Sequence, residues 1–275
     1  MSQANQSAHP MQVLRETTTA LEASILLCLA KPRKKAVHEL RTSTRRVEAQ
    51  LELLSLLPGL PPHDEQRRDA LHLLKEVRHA AGQVRDIDVQ RDLIRGEASD
   101  DREAQRPDAE LRKEARRLRS ALSRKRDEKA DHLLQLLHKQ RARLPLVFEE
   151  LLDTLAPADS ITLSEAKLTE LVLERYGRAR QTPAPEDTAQ LHEIRKRAKL
   201  ARYLAESAPE SAIAAHRLAM RFGDLQQAGG EWHDWLILGQ VAADELGDTA
   251  QLPQRFAAHA ERALRNFRRC LRHKI

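Results

Sequence analysis

The sequence predicts an all-α protein built from two related halves. Good helix formers dominate the 275 residues, and only 9 Gly and 12 Pro are present to interrupt helices. Apolar residues recur at helical spacing, whereas no segment alternates between apolar and polar residues as a half-buried strand would. The hydrophobic fraction of 41% is sufficient for a packed core, so a chain that is disordered throughout is excluded.

Prolines and glycines divide the first half of the chain into helices. Pro32 ends the first helix, Pro58-Gly59 ends the second, and Gly82 is expected to break the third. Residues 96–107 are polar and predict a mobile loop, whereas residues 108–144 lack Gly and Pro. The predicted helices are 11–30, 34–57, 64–81, a short one from Arg85, and one or two within 108–144.

The best candidate for a central linker is 157–162. We therefore expect a flexible N-terminus over 1–10 and one domain over 11–275, composed of the halves 11–157 and 162–275. The predicted helices of the second half are 163–181, 187–207, 209–227, 231–246 and 252–272.

The two halves share a repeated motif, which is typical of an internal duplication. AVHELRTSTRRVEAQL at 36–51 is similar to QLHEIRKRAKLARYLA at 190–205. GQVRDIDV at 82–89 follows the first copy, and GEWHDWLI at 230–237 follows the second. The order and approximate spacing of the four segments agree, which predicts two halves that pack against each other.

Basic residues are concentrated in a few segments, although the net charge of the chain is only +6. The segments 31–46, 111–129, 192–202 and 261–274 together carry +21, so the remainder of the chain carries −15. Such segregation indicates a cationic face or interior and an acidic outer surface.

The repeated motif forms an amphipathic helix with one cationic side. On a helical wheel, Arg41 and Arg45 fall within about 60° of His38, and apolar residues lie on the opposite side. The second copy places Arg195, Lys199 and Arg202 on one face in the same way. Like charges at this spacing destabilise a helix by a few tenths of a kcal/mol per pair. Acidic neighbours or solvent commonly offset such repulsion, but the duplication and the scarcity of acids within either segment favour a bound polyanion.

The two motifs resemble the signature helices of the CHAD family. HELRTSTRR at 38–46 and HEIRKRAKLARY at 192–203 are similar to those helices, and GQVRDIDV and GEWHDWLI resemble the segments that follow them. The resemblance extends over about 11–272. It implies an all-α fold of two pseudo-symmetric helical bundles, about four to five helices each, around a basic central pore or groove. It also implies binding of inorganic polyphosphate and association with polyphosphate granules.

The same resemblance assigns the residues that would bind polyphosphate. They lie on the cationic faces of the two signature helices, with flanking candidates beside them; the set is His38, Arg41, Arg45, Arg46, His192, Arg195, Lys196, Lys199 and Arg202. Charge clustering alone adds three weaker candidates, Lys75, Arg116 and Arg119. The sequence departs from the family pattern at 42–44, where Thr-Ser-Thr stands in place of bulkier apolar residues.

Catalytic and metal sites are not predicted. The His-Glu pairs at 38 and 192 lack the second histidine of a zinc-protease helix, because Thr42 and Lys196 occupy its position. His233-Asp234 is too common a pair to indicate a metal site. Asp86, Asp88 and Asp234 follow glycines and are expected to cap or favour helix N-termini, or to pair with arginines of the pore and hold their rotamers. Trp232 and Trp235 are expected in the core.

The sequence thus predicts a protein that binds inorganic polyphosphate, has no cofactor and catalyses no reaction. A nucleic-acid binder is one alternative, and nucleic acid is expected to compete weakly, although eight aromatic residues offer little for base stacking. A phosphoanhydride hydrolase is a second alternative, but no carboxylate cluster to hold Mg²⁺ is evident. Without a signal peptide, a membrane-spanning stretch or a disulfide framework, the expected location is the cytoplasm.

Overall fold

The computed structural model describes residues 7–103, 108–177 and 187–272, with the side chains of 98–103 left out. Helices dominate, which confirms the all-α prediction. The described helices are α1 (Pro10–Ala30), α2 (Lys34–Leu54), α3 (Asp64–Glu103), α4 (Ala109–Gln140), α5 (Arg143–Leu155), α6 (Glu165–Gly177), α7 (Thr188–Glu206), α8 (Ile213–Leu246) and α9 (Gln251–Arg272). A 3-10 turn covers Ala156–Ala158. No helix in the described ranges is both long and apolar enough to cross a membrane.

The chain forms two compact units that do not follow the sequence midpoint. Within the described residues, the first unit contains 7–81, 134–177 and 187–226, and the second contains 82–103, 108–133 and 227–272. Each unit therefore combines segments from both sides of the predicted linker. The division into repeated halves at 11–157 and 162–275 stays a prediction of the sequence.

A short strand pair lies in the first unit. β1 (Ser7–Ala8) pairs antiparallel with β2 (Leu163–Ser164). The hydropathy pattern gives no sign of strands this short. Residues 7–10 belong to the predicted flexible N-terminus, and the structure places them in this pair and at the start of α1. Residues 1–6 of that segment lie outside the described part of the chain.

The core of the first unit is built on the apolar sides of α2 and α7. α2 packs against α1 and α7, and α7 also packs against α6. The predicted apolar stripe of α2 is buried, as is that of α7; these residues are Val37, Leu40, Val47, Leu51, Leu54, Leu191, Ile194, Ala198 and Ala201. Burial of one leucine side chain contributes about 1.5–3 kcal/mol, so this stripe fixes the rotation of each helix. The charged side must then face away from the core.

The core of the second unit contains the two tryptophans. Trp232 stacks on Phe267 with ring centroids 5.9 Å apart, and Trp235 packs against Phe256 at 5.6 Å. Both Phe side chains are fully buried. The prediction that Trp232 and Trp235 are core residues is confirmed.

Three glycine positions do not interrupt helices as predicted. α3 continues through Gly82 and Gly96 to Glu103, and α8 continues through Gly229-Gly230. A helical Gly costs about 1 kcal/mol relative to Ala, and the buried neighbours of Gly82 outweigh that cost. The prediction of a short helix from Arg85 is therefore wrong, as is the predicted loop over 96–103, because residues 85–103 belong to α3. Residues 104–107 of the predicted loop lie outside the described part of the chain.

Two other glycines have a positive φ. Gly247 (φ 92°) ends α8, whereas Gly59 (φ 80°) lies in a turn beyond Ser55, the C-cap of α2. Gly247 N–H donates to the carbonyl of Ala243 at 2.8 Å, which is the hydrogen bond expected where a residue in the left-handed region ends an α-helix. Glycine is needed at these two positions because other residues rarely adopt a positive φ.

Candidate functional site

The first signature motif occupies α2, and its cationic residues are accessible to different degrees. His38 and Arg46 are exposed, whereas Arg41 and Arg45 are half-buried. The fully buried Leu40 and Val47 on the core side set this order. The basic face of α2 thus combines exposed residues with two arginines, Arg41 and Arg45, whose side chains are partly shielded from solvent.

The second signature motif occupies α7 in the same unit. Asp187 caps this helix by accepting a hydrogen bond from the Ala189 N–H at 3.0 Å. The half-buried basic residues of the helix are His192, Arg195, Arg197, Lys199 and Arg202. Lys196 is more exposed, and its Nζ lies 2.6 Å from a Glu193 carboxylate oxygen.

The two basic helices are packed directly against each other within this unit. Tyr203 of α7 and Arg41 both lie close enough to Arg45 to influence its charge. Burial lowers the pKa of Arg45 to about 10, with Glu48 opposing the shift and Arg78 and Arg41 adding to it. Arg45 therefore stays protonated at neutral pH in a crowded cationic environment.

Two glutamates one turn apart on α2 bind four arginines. Glu48 accepts from Arg45 Nη1 at 3.2 Å and from Arg78 Nε at 2.6 Å. Glu52 accepts from Arg67 Nη2 at 3.2 Å and from Arg175. We call Glu48 and Glu52 the glutamate pair. The glutamate pair neutralises part of the positive charge of these four arginines and holds their guanidinium groups in place.

One hydrogen-bond donor of Arg45 is unsatisfied. Its Nε is buried and makes no hydrogen bond to a described residue. An unsatisfied buried donor costs about 1–3 kcal/mol. An anionic oxygen bound at this position would remove that cost.

Arg202 is held at the other end of the α7 stripe. Its Nε donates to Glu206 Oε1 at 2.6 Å, and its guanidinium lies 5.9 Å from the centre of the Tyr203 ring. Gly223 of α8 faces this side chain, since a Cβ there would lie 3.9 Å from Arg202 Nε. The close approach of α8 restricts the orientations open to Arg202.

The Thr-Ser-Thr segment of α2 fits its surroundings. Thr44 is fully buried, and its hydroxyl donates to the carbonyl of Arg41 at 2.8 Å. Ser43 is also buried. Small polar side chains thus replace bulkier apolar ones without leaving the Thr44 hydroxyl unsatisfied.

The weaker candidates lie on other helices. Lys75 is exposed on α3 in the first unit. Arg116 and Arg119 belong to α4 in the second unit, where Arg116 is exposed and Arg119 is half-buried. Their predicted role in binding stays a prediction.

The aspartates that follow glycines do not cap helices. Asp86 and Asp88 lie within α3, and Asp234 lies within α8, because the glycines before them are helical. Asp234 accepts from Arg85 Nη1 at 3.3 Å. Asp88 is buried and accepts from Arg126 Nε at 3.2 Å. Asp234 and Asp88 thus pair with arginines, but Arg85 and Arg126 are not among the arginines predicted to bind polyphosphate.

The ion pair between Arg85 and Asp234 shifts the pKa of both residues. Burial opposes ionisation of Arg85, but Asp234 and Asp86 outweigh it and raise the pKa of Arg85. Burial likewise acts against the charged form of Asp234, but its hydrogen bond to His233 and the charge of Arg85 lower the pKa of Asp234 below its ordinary value. His233 Nδ1 lies 3.6 Å from Asp234 Oδ1, and the described residues contain no group of three or more potential metal ligands.

Several residues that surround the arginines of α2 are not predicted from the sequence. Arg78 and Arg175 come from α3 and α6, so no local pattern on α2 could reveal them. Glu48 and Glu52 stand four residues apart on α2, so the sequence alone places both glutamates on one side of that helix. Tyr203 belongs to the second motif itself, but the charge pattern assigns it no role.

Comparisons with known proteins now identify the family. The family model described as CHAD domain matches residues 12–243. The chain belongs to the CHAD family. No curated protein matches the chain.

Two solved structures share the fold. PptA from Streptomyces chartreusis matches with a TM-score of 0.68 and 17% identity, covering 96% of this chain and 98% of its own. The CHAD domain from the plant Ricinus communis matches with a TM-score of 0.66 and 16% identity, covering 95% and 87%. At these identities the likeness shows the fold alone. The CHAD family membership and the all-α fold predicted from the sequence are confirmed, and the basic central pore stays a prediction.

Proposed function

We propose that this CHAD-family protein binds inorganic polyphosphate through the basic faces of α2 and α7 and catalyses no reaction. One observation carries the proposal: α2 and α7 pack together, so both His-Arg motifs lie in one compact unit. A linear chain of phosphates has evenly repeated charge and no bases to recognise, and two adjacent basic helices suit such a ligand.

The arrangement of the arginines supports an anion rather than a solvated surface. Arg41 and Arg45 are half-buried beside Arg78, and Arg45 retains an unsatisfied donor. Burying like charges is unfavourable unless counter-charge is supplied. The glutamate pair supplies part of it, and a polyphosphate chain would supply the rest.

Competition binding tests the ligand class. The full chain is incubated with immobilised long-chain polyphosphate, and soluble polyphosphate, DNA or RNA is added at equal phosphate concentration. We expect soluble polyphosphate to release the protein at much lower concentration than nucleic acid does. Release by nucleic acid at the same or lower concentration would contradict the proposal.

The absence of a reaction is tested separately. The protein is incubated with long-chain polyphosphate, with and without EDTA, and both free phosphate and chain length are followed. We expect neither to change in either condition. Phosphate release that EDTA abolishes would instead indicate a metal-dependent phosphoanhydride hydrolase.

We further propose that the protein is cytoplasmic and associates with polyphosphate granules. A fluorescent fusion should co-localise with granules in cells that accumulate polyphosphate and become diffuse in cells that cannot make it. Unchanged localisation in the two cell types would contradict this proposal.

A further inference from the structure

Four of the described helices carry a net positive charge, and α9 has the highest charge per residue among them. It contains six arginines and one glutamate in 22 residues, or +5. The corresponding balance is +5 over 32 residues for α4, +3 for α7 and +2 for α2. α9 lies beyond the residues that the CHAD family model matches, which end at residue 243. Its charge is therefore not accounted for by the signature motifs.

The apolar side of α9 is fixed in the core of the second unit. Phe256 and Phe267 are fully buried, and Ala260 and Ala263 lie on the same side. On a helical wheel, a stripe of polar residues borders this core side, with successive members three or four residues apart. The members of the stripe are Arg255, His259, Arg262, Asn266 and Arg269.

The inner end of this stripe is anchored by one carboxylate. Glu97, whose side chain is 10% exposed, lies 3.1 Å from Arg255 Nη1 and 3.0 Å from His259 Nε2. The imidazole of His259 also stacks on Trp235, with ring centroids 4.3 Å apart and nearly parallel planes. Asp108 adds a further negative charge near Arg255. This end of the stripe is thus ordered and largely neutralised.

The outer end of the stripe carries the excess positive charge. Arg262 Nη2 lies 2.8 Å from His259 Nδ1, and because arginine can only donate, Nδ1 accepts and the ring proton resides on Nε2. Arg269 Nη2 donates to Asn266 Oδ1 at 2.9 Å. Arg262 and Arg269 are exposed, and both are held by neutral partners of the stripe. Their full charge therefore remains available to a ligand.

We infer that Arg262 and Arg269 form a second anion site that binds the phosphate groups of inorganic polyphosphate. The two residues are seven positions apart, so they lie about 10 Å apart along one side of the helix. Contact at both points requires a ligand that extends over several phosphates. The aromatic residues of α9 and its neighbour Trp235 are buried, so this surface offers no platform for base stacking, which favours polyphosphate over nucleic acid.

The choice of polyphosphate rests on the proposed function, whereas the position of the site does not. The test compares two variants of the full chain, R262A/R269A and the matched control R265A/R272A. Both remove two exposed arginines from α9, but Arg265 and Arg272 lie about 60° away from Arg262 and Arg269 on a helical wheel, further from the stripe. Circular dichroism verifies that each variant keeps its helical content, as expected for Arg to Ala changes in a helix.

The readout is affinity for long-chain polyphosphate as a function of salt. R262A/R269A should reduce the slope of log K against log salt by about 1.4–1.8, because two phosphate contacts are lost. R265A/R272A should reduce it by less than half as much. Equal slopes for the two variants would overturn the site, since the effect would then come from net charge alone. An effect of R262A/R269A on nucleic-acid binding but not on polyphosphate binding would overturn the assigned ligand.

The same pair is also introduced into the R41A/R195A variant, which removes one arginine from each signature helix. A further loss of affinity in the fourfold variant supports the α9 site. If R262A/R269A weakens binding and R41A/R195A does not, the proposed function at α2 and α7 fails while the α9 site stands. If only R41A/R195A weakens binding, the α9 site fails and the proposed function stands.

Discussion

The basic helices α2 and α9 hold positive charge in different ways. On α2, Arg45 is half-buried and shares Glu48 with Arg78. On α9, Arg262 and Arg269 are exposed and their partners are neutral. The helix with the smaller net charge thus has two of its arginines, Arg41 and Arg45, in surroundings of lower dielectric constant, where each interaction with an anion is stronger. Net charge by itself does not rank the two surfaces as binding sites.

The cores beneath the two surfaces give the largest expected effects. Phe222, in the unit of α7, packs edge-on against Tyr176 at 4.8 Å, and Phe267 of α9 stacks on Trp232. Because both Phe side chains are fully buried, F222A and F267A should each lower the free energy of unfolding by about 3–5 kcal/mol. Urea unfolding followed by circular dichroism measures this loss. A loss below about 1 kcal/mol for either variant would show that its ring is not part of a packed core.

Substitution of Glu48, which accepts hydrogen bonds from two arginines, should change stability more than substitution of an exposed glutamate. E48Q removes the charge that faces Arg45 and Arg78, so it should lower the free energy of unfolding by about 1–3 kcal/mol. Polyphosphate affinity of E48Q should rise, because the ligand no longer competes with the carboxylate. The exposed Glu261 of α9 provides the control, since E261Q should change stability by less than about 0.5 kcal/mol. Equal stability of E48Q and E261Q would show that the half-buried charges of α2 do not depend on Glu48 and would contradict the contrast drawn between α2 and α9.

The ion pair of the second unit predicts a pH-dependent effect of smaller size. The pKa of Asp234 is lowered in the folded protein, so its contribution to stability is present above its ordinary value of 3.8 and is lost as the pH falls through the folded value. D234N should therefore be less stable than the wild type at pH 7, and the difference should narrow at about pH 3. Urea midpoints at the two pH values measure this change. A difference that is the same at both pH values would show that the Arg85–Asp234 pair does not stabilise the fold.

Much of the fold follows from sequence periodicity because the core stripes are local. The stripe that contains Leu40 and Val47 predicts which side of α2 is buried, and the same reasoning applies to α7. Helix ends marked by proline are also well predicted, as at Pro32. Helices that pass through glycine are not, because Gly82 and Gly229 are held in helices by tertiary packing that a local pattern does not contain.

The candidate site is predictable only in part for the same reason. The spacing of Arg41 and Arg45 indicates a cationic face from the sequence alone. The charge that balances this face comes partly from Glu48, and the competing cation Arg78 comes from α3, which is distant in the sequence. Likewise, the anchoring of His259 by Glu97 joins α9 to α3, so the sequence shows a basic segment there but not its ordered stripe.

The salt dependence of R41A/R195A tests the central claim most directly. The control is R141A/R143A, which removes two exposed arginines from the same unit but from outside the signature helices. If α2 and α7 bind one polyphosphate chain, R41A/R195A should lower affinity more than about tenfold and reduce the slope of log K against log salt by about 1.4–1.8, with helical content unchanged. R141A/R143A should stay close to the wild type in both quantities. An R41A/R195A variant that binds as the wild type or as the control does would contradict the account.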